Sequence, residues 1–168
     1  RLRAVGASAG AMTLLHMATA QPERFEALVV IGVGTSLPAA CRSTLSAVDA
    51  DAVPAAAMAE LRAIHHHGDE LIRALYSWVA SLATDETDMV FTPPQLAGIT
   101  APTLVVHGDR DYCFPASMAL EIFDAIPQAH LWVVPNGGHV PITGPSHANE
   151  HPDRADGDCN DSGDRHSQ

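Results

Sequence analysis

Short apolar runs alternate with amphipathic stretches along most of this chain. Four such runs are Leu2–Val5, Ala27–Gly32, Thr103–His107 and His130–Val134, and the last three have the apolar, β-branched character of strands buried in a parallel sheet. Helical patterns follow the first and third runs at Ala9–Ala20 and Pro115–Ile126. The alternation predicts βαβ units, and therefore an α/β fold with a mostly parallel sheet flanked by helices.

The interval 36–92 interrupts this alternation with helical patterns alone. One pattern covers Ala55–Ile64, and the other covers Asp69–Leu82, where apolar residues recur at spacings of three and four. We therefore expect a helical insertion at 36–92 within an α/β core formed by 1–35 and 93–142.

The end of the chain has a different composition. Residues 149–168 hold six acidic side chains and two Arg, but no Leu, Ile, Val, Met or aromatic residue. Such a stretch cannot bury enough apolar surface to offset the entropy lost on ordering. We expect residues 143–168 to be an acidic disordered tail.

Charge and hydropathy exclude several classes of partner. The chain has 168 residues and a net charge of −11, and all nine of its basic residues are Arg. Nucleic-acid binding and docking on an anionic membrane both need a basic face, so neither is expected. No apolar run approaches the length of a membrane span.

The cysteines and the first residue bear on the compartment. Cys41, Cys113 and Cys159 are odd in number and widely spaced, so we expect neither a disulfide framework nor a metal site. Unpaired cysteines favour a cytoplasmic location. The chain opens at Arg1 instead of Met, so we expect coding sequence upstream, and any targeting signal would lie there.

The motif Gly6-Ala7-Ser8-Ala9-Gly10 stands between the first predicted strand and the first predicted helix. This is the G-x-S-x-G pattern of a nucleophile elbow, in which a tight turn exposes the serine hydroxyl. We expect Gly6 and Gly10 to prevent clashes in that turn. The Ala9 N–H would lie at a helix N-terminus and could donate to an oxyanion. The alternative is a helix start with Ser8 as N-cap.

Two polar loops follow the third and fourth predicted strands. Gly108-Asp109-Arg110-Asp111 offers an acid that could orient an imidazole, and Asn136-Gly137-Gly138-His139 offers a proton-transfer group. We favour Asp111 over Asp109, because the first Asp of such a turn often caps backbone N–H groups. A solvated acidic turn and an ordinary loop histidine are the alternatives.

The order Ser8, Asp111, His139 places each candidate just after a predicted strand. Together with the segments VGASAGAMTLLHMA, APTLVVHGDRDYCFP and IPQAHLWVVPNGGHVPI, this order resembles the carboxy-terminal portion of the α/β-hydrolase fold family, serine hydrolase branch. The resemblance implies a Ser8–His139–Asp111 catalytic triad, an oxyanion donor at Ala9, a helical lid at 36–92, and no cofactor or metal.

The resemblance also implies a function and its rivals. A serine nucleophile points to acyl transfer from a small-molecule ester or related acyl substrate. The family has strands before the elbow strand, and none precede it here, so we expect a truncated chain with an exposed sheet edge that could self-associate. A non-catalytic fragment that binds a partner is therefore the first alternative. An acyltransferase using the same triad is the second.

Two remaining residues are expected to be structural. His107 ends a predicted strand and should pack against the adjacent loop, and Trp132 should lie in the core. The run His65-His66-His67 is not expected to bind a metal, because adjacent helical residues diverge by about 100° and cannot converge on one ion.

Overall fold

A computed structural model describes residues 1–85 and 90–142 of the chain. Its described residues form one parallel four-stranded sheet in the order β1-β2-β3-β4. The strands are β1 (Leu2–Ala7), β2 (Phe25–Ile31), β3 (Thr103–Gly108) and β4 (Ala129–Val134). The predicted parallel sheet is confirmed. The predicted tail at 143–168 lies outside the described residues.

Six α-helices connect and flank these strands within the described ranges. They are α1 (Ala9–Ala20), α2 (Ala39–Ser46), α3 (Ala55–Ile64), α4 (Asp69–Ser81), α5 (Pro93–Leu96) and α6 (Ala116–Ala125), with 3-10 turns at Pro22–Arg24 and Ala50–Ala52. The sequence predicts α1, α3, α4 and α6 but misses α2 and α5, because α2 buries only Cys41 and α5 is a single turn. None of the helices at 1–85 or 90–142 is both long and apolar enough to span a bilayer.

Burial follows the position of each strand in the sheet. The central strands supply Leu28, Val30 and Val105 to a core that also contains Leu15 of α1 and Ile122 of α6. The edge strands are open, since Val5 of β1 is 70% exposed and Trp132 of β4 is 52% exposed. The expectation that Trp132 lies in the core is wrong, because β4 is an edge strand.

The expectation about the cysteines is also wrong. Cys41 of α2 and Cys113, in the loop after β3, are joined by a disulfide with an S–S distance of 2.04 Å. Because 72 residues separate the two cysteines along the chain, no local sequence pattern predicts that they pair. The interval after β2 folds back, so that α2 lies over the loop after β3, and both cysteines are buried there.

A second contact anchors the helical interval beside this disulfide. The guanidinium of Arg42 donates hydrogen bonds to the carbonyls of Leu37, Leu82, Ala83 and Asp85. Three of these carbonyls follow the end of α4 at Ser81, and a guanidinium has enough N–H groups to donate to several acceptors. Arg42 thereby ties α2 to the segment that follows α4.

Candidate active site

Ser8 occupies the turn between β1 and α1 in a conformation that side chains rarely adopt. Its φ is 51° and its ψ is −122°. The Ser8 N–H donates to the Ile31 carbonyl at 2.9 Å, which fixes the turn to the end of β2. A residue with a β-carbon is strained at positive φ and persists there only when its surroundings impose it. This is the geometry expected of a nucleophile elbow.

The two glycines of the motif have different roles. A β-carbon on Gly6 would lie 2.6 Å from the Gly10 carbonyl oxygen and 2.8 Å from the Ala11 nitrogen, so only glycine fits there. A β-carbon on Gly10 would meet no described atom within 4 Å. The expectation that the elbow needs a small residue holds for Gly6 and is wrong for Gly10.

Ser8, His139 and Asp111 come together in space at the carboxyl ends of the strands. His139 Nε2 lies 2.8 Å from Ser8 Oγ. On the other side of the ring, His139 Nδ1 lies 2.9 Å from Asp111 Oδ2 and 3.1 Å from Asp111 Oδ1. An ionised carboxylate only accepts hydrogen bonds, so Nδ1 carries the proton and Nε2 accepts from the serine hydroxyl. The arrangement can therefore take the proton of Ser8.

Asp111 is held as an anion in a buried setting. Its side chain is fully buried, while that of His139 is 16% exposed. Burial raises the pKa of Asp111, but hydrogen bonds from His139 and the Phe114 N–H, the charge of His139 and a hydrogen bond from the Cys113 N–H outweigh it. The pKa of Asp111 is therefore lowered below its ordinary value.

The structure also corrects the argument that separates the two candidate acids. The N–H groups of Cys113 and Phe114 donate to Asp111 Oδ1 at 2.8 and 3.0 Å. It is thus Asp111, and not Asp109, that caps the turn and also faces His139. Asp109 is exposed.

Two glycines, Gly32 and Gly108, pack against the His139 loop in a way that the sequence does not predict. A β-carbon on Gly32, whose φ is +57°, would overlap the His139 carbonyl oxygen. A β-carbon on Gly108 would overlap the carbonyl oxygens of Gly137 and Gly138. The only signal in the sequence is that each glycine ends an apolar strand, a position where another backbone can approach closely.

Aromatic rings flank the imidazole. The ring of Tyr112 lies 5.5 Å from that of His139, and the ring of Phe114 lies 5.7 Å from it. Both distances lie within the range of favourable contacts between aromatic rings. The loop after β3 thus contacts His139 through both its acid and its aromatic side chains.

Ala9 directly follows Ser8 and is the first residue of α1. Amide groups in the first turn of a helix have no acceptor within the helix, and the helix dipole favours negative charge there. The Ala9 N–H therefore has the chemistry of an oxyanion donor. Among the described residues, no group of three or more His, Cys, Asp or Glu side chains could hold a metal ion.

The fold and this Ser-His-Asp arrangement define a protein of the α/β-hydrolase fold, of the serine hydrolase type. Within that class, the chain matches the sequence model of the prolyl oligopeptidase family over residues 1–155, and it belongs to that family. The resemblance drawn from the motifs is confirmed at this level. A search of the curated proteins finds no match to the chain.

Solved structures share the fold at low sequence identity. An α/β hydrolase from a Medee basin deep-sea metagenome library aligns with a TM-score of 0.60 and 20% identity, over 83% of this chain and 58% of that one. A protein described as a non-heme bromoperoxidase from Mycobacterium tuberculosis H37Rv gives 0.56 and 21%, over 83% and 60%. The 2-hydroxy-6-oxo-6-phenylhexa-2,4-dienoate hydrolase of Rhodococcus sp. strain RHA1 gives 0.55 and 21%, over 80% and 56%. The chain thus spans less than two thirds of each.

Proposed function

We propose that this protein is a serine hydrolase that cleaves an ester or a related acyl bond through an acyl-enzyme. One observation carries the proposal: His139 Nε2 is 2.8 Å from Ser8 Oγ while its Nδ1 is bonded to the buried Asp111. In this role Ser8 is the nucleophile, His139 is first base and then acid, and Asp111 orients His139 and stabilises its protonated form.

The proposed reaction has two halves. Ser8 Oγ attacks the acyl carbonyl carbon as its proton passes to His139 Nε2, and the Ala9 N–H donates to the oxyanion that forms. Collapse of this intermediate breaks the bond to the leaving group, which takes the proton from Nε2. A water molecule then attacks the acyl-enzyme in the same way, releasing the acid and restoring the Ser8 hydroxyl. The steps use no cofactor.

The substrate class is proposed more broadly than a single ester. The matched family is named for an oligopeptidase, and one similar structure is a hydrolase of a dienoate. We therefore include amide and activated carbon–carbon bonds beside esters. In our proposal the helices α2 to α4 form the lid of the 36–92 insertion and select the acyl group.

The edge of β1 favours a second function, association with another chain. β1 is the outer strand of the described sheet, and its Val5 is 70% exposed. An open strand edge offers unpaired backbone groups to a partner strand. Light scattering during size exclusion tests this: we expect a dimer that Val5→Lys converts to a monomer. A wild-type monomer at all concentrations would remove the idea of self-association.

The argument from unpaired cysteines for a cytoplasmic location no longer applies. The sequence favoured it only through unpaired cysteines, whereas Cys41 and Cys113 are bonded to each other. Disulfides persist mainly in oxidising compartments. Nothing in the proposed chemistry depends on either compartment.

The activity can be tested with p-nitrophenyl esters of increasing acyl length. We expect a burst of nitrophenolate followed by slower turnover, with an acyl adduct on Ser8 detected by peptide mass spectrometry. Ser8→Ala should lose both signals, and Ser43→Ala, at an exposed serine of α2, should keep them. A burst that survives in Ser8→Ala would overturn the proposal. An added alcohol that diverts the acyl group to a new ester would indicate an acyltransferase.

A further inference from the structure

One buried histidine takes no part in the proposed reaction. His107 lies in β3, four residues before Asp111, and its side chain is fully buried. Its Nε2 is 3.0 Å from the Phe114 carbonyl oxygen and 3.9 Å from Asp111 Oδ2. The sequence predicts a packing role in the adjacent loop, and these contacts place the ring directly under the loop that carries Asp111.

The contacts fix which ring nitrogen of His107 carries the proton. The Phe114 carbonyl can only accept, so Nε2 must donate. His107 Nδ1 is then a buried acceptor, and it has no partner among the described residues. A buried polar atom without a partner is unfavourable, so an apolar side chain would pack here at lower cost. The hydrogen bond to the Phe114 carbonyl is therefore an interaction that a histidine provides and an apolar residue would not.

That bond belongs to a chain of contacts that ends at the candidate nucleophile. His107 holds the Phe114 carbonyl, and the Phe114 N–H donates to Asp111 Oδ1 at 3.0 Å. Asp111 in turn accepts from His139 Nδ1, and His139 Nε2 faces Ser8 Oγ. At 3.9 Å, His107 makes no direct hydrogen bond to Asp111, so its effect runs through Phe114.

We infer that His107 is a positioning residue for the proposed reaction, because its bond to Phe114 fixes the turn 111–114 that aims the Asp111 carboxylate at His139. The inference rests on the proposed function. It differs from a packing role in one respect: loss of the Nε2 donor should change the reactivity of Ser8 in folded molecules, and not only the number of molecules that are folded.

The chain offers a matched control on the same strand. Thr103 at the other end of β3 is also fully buried, and its hydroxyl donates to the Ala101 carbonyl at 3.0 Å. Thr103→Val removes a buried hydrogen bond without touching the site. His107→Met fills the ring's space without a donor, His107→Gln keeps an N–H at the reach of Nε2, and His107→Asn is too short to reach Phe114.

The first readout is the second-order rate constant for labelling Ser8 with a fluorophosphonate, divided by the folded fraction from thermal unfolding. We expect His107→Met and His107→Asn to lower it about ten- to a hundredfold, the size expected for a misplaced catalytic group. His107→Gln and Thr103→Val should stay near wild type. If His107→Met fails to fold, the Gln and Asn variants carry the comparison.

The second readout is the downfield proton resonance of His139 Nδ1–H, which reports its hydrogen bond to Asp111. We expect this resonance to move or broaden in His107→Met and His107→Asn and to persist in His107→Gln and Thr103→Val. Wild-type rate and resonance in folded His107→Met, or an equal loss in Thr103→Val, would overturn the inference. If wild type itself fails to react, the proposed function fails, while the resonance still decides whether His107 positions Asp111.

Discussion

The carbonyl oxygen of His139 lies against Gly32, in the space that a β-carbon at that position would fill. Gly32 also has a φ of +57°, which costs a residue with a side chain about 1–2 kcal/mol. The backbone at the end of β2 therefore helps to position His139, the candidate base. A substitution at Gly32 should therefore displace His139 from Ser8.

We predict that Gly32→Ala lowers the rate of fluorophosphonate labelling at Ser8 by about a hundredfold, because the His139 backbone must move away. Labelling kinetics on folded protein would measure the effect. Gly98→Ala, in the turn before β3 and at ordinary φ, is the control and should label at the wild-type rate. An unchanged rate in Gly32→Ala would contradict the role given to this contact.

A paired substitution within the elbow separates its two glycines. Gly6→Ala should abolish labelling, because its β-carbon would lie 2.6 Å from the Gly10 carbonyl oxygen. Gly10→Ala should keep labelling and add about 0.5–1 kcal/mol of stability, since alanine is the better helix residue and the space is open. Rate constants and unfolding free energies for the two variants give the test. An equal loss of labelling in both variants would contradict the open space at Gly10.

Asp111→Asn should reduce the labelling rate about 10⁴-fold while the fold persists, because the amide no longer holds His139 in the required tautomer. The experiment compares labelling with circular dichroism on the same sample. A variant that labels as fast as wild type would show that Asp111 does not orient the base.

The lowered pKa of Asp111 also predicts how stability depends on pH. A carboxyl whose pKa is lower in the folded state stabilises that state above the unfolded pKa of about 4, and the contribution disappears as pH falls through the folded value. Wild type should therefore lose thermal stability below about pH 4 more steeply than Asp111→Asn. Parallel curves for the two proteins would contradict the anionic state of Asp111.

The Cys41–Cys113 disulfide should contribute to stability, because it closes a separation of 72 residues. In the chain-entropy account, a loop of this size is worth about 4 kcal/mol. Chemical unfolding of Cys41→Ser should show a loss of that order. Cys159→Ser, at a cysteine outside the described residues, is the control variant and should unfold as wild type does.

Local patterns were sufficient to predict most of the core. The apolar runs of β2 and β3 predict buried parallel strands. Helices α1 and α3 begin and end at the predicted residues. The prediction that Trp132 lies in the core is wrong because the pattern of β4 does not indicate that the strand is an outer strand of the described sheet. The Cys41–Cys113 pairing depends on how the 36–92 interval folds back, which no local pattern encodes.

In the candidate site, too, local sequence patterns predict some residues and not others. Ser8, Asp111 and His139 could be found because each lies in a short motif after a strand. No sequence pattern marks Gly32, because its requirement for glycine comes from the His139 loop, more than a hundred residues later in the chain. The sequence favours Asp111 over Asp109, but on the argument that the first Asp caps the turn, whereas Asp111 itself accepts the Cys113 and Phe114 N–H groups.

The central claim is that Ser8 is an activated nucleophile. The most direct measurement is fluorophosphonate labelling of the chain, read by intact-mass and peptide mass spectrometry, with Ser8→Ala and His139→Ala beside wild type. The account predicts a single adduct on Ser8 in wild type, none in Ser8→Ala and a severe loss of rate in His139→Ala. No adduct in a wild-type chain that unfolds cooperatively, or an adduct elsewhere that survives in Ser8→Ala, would contradict it.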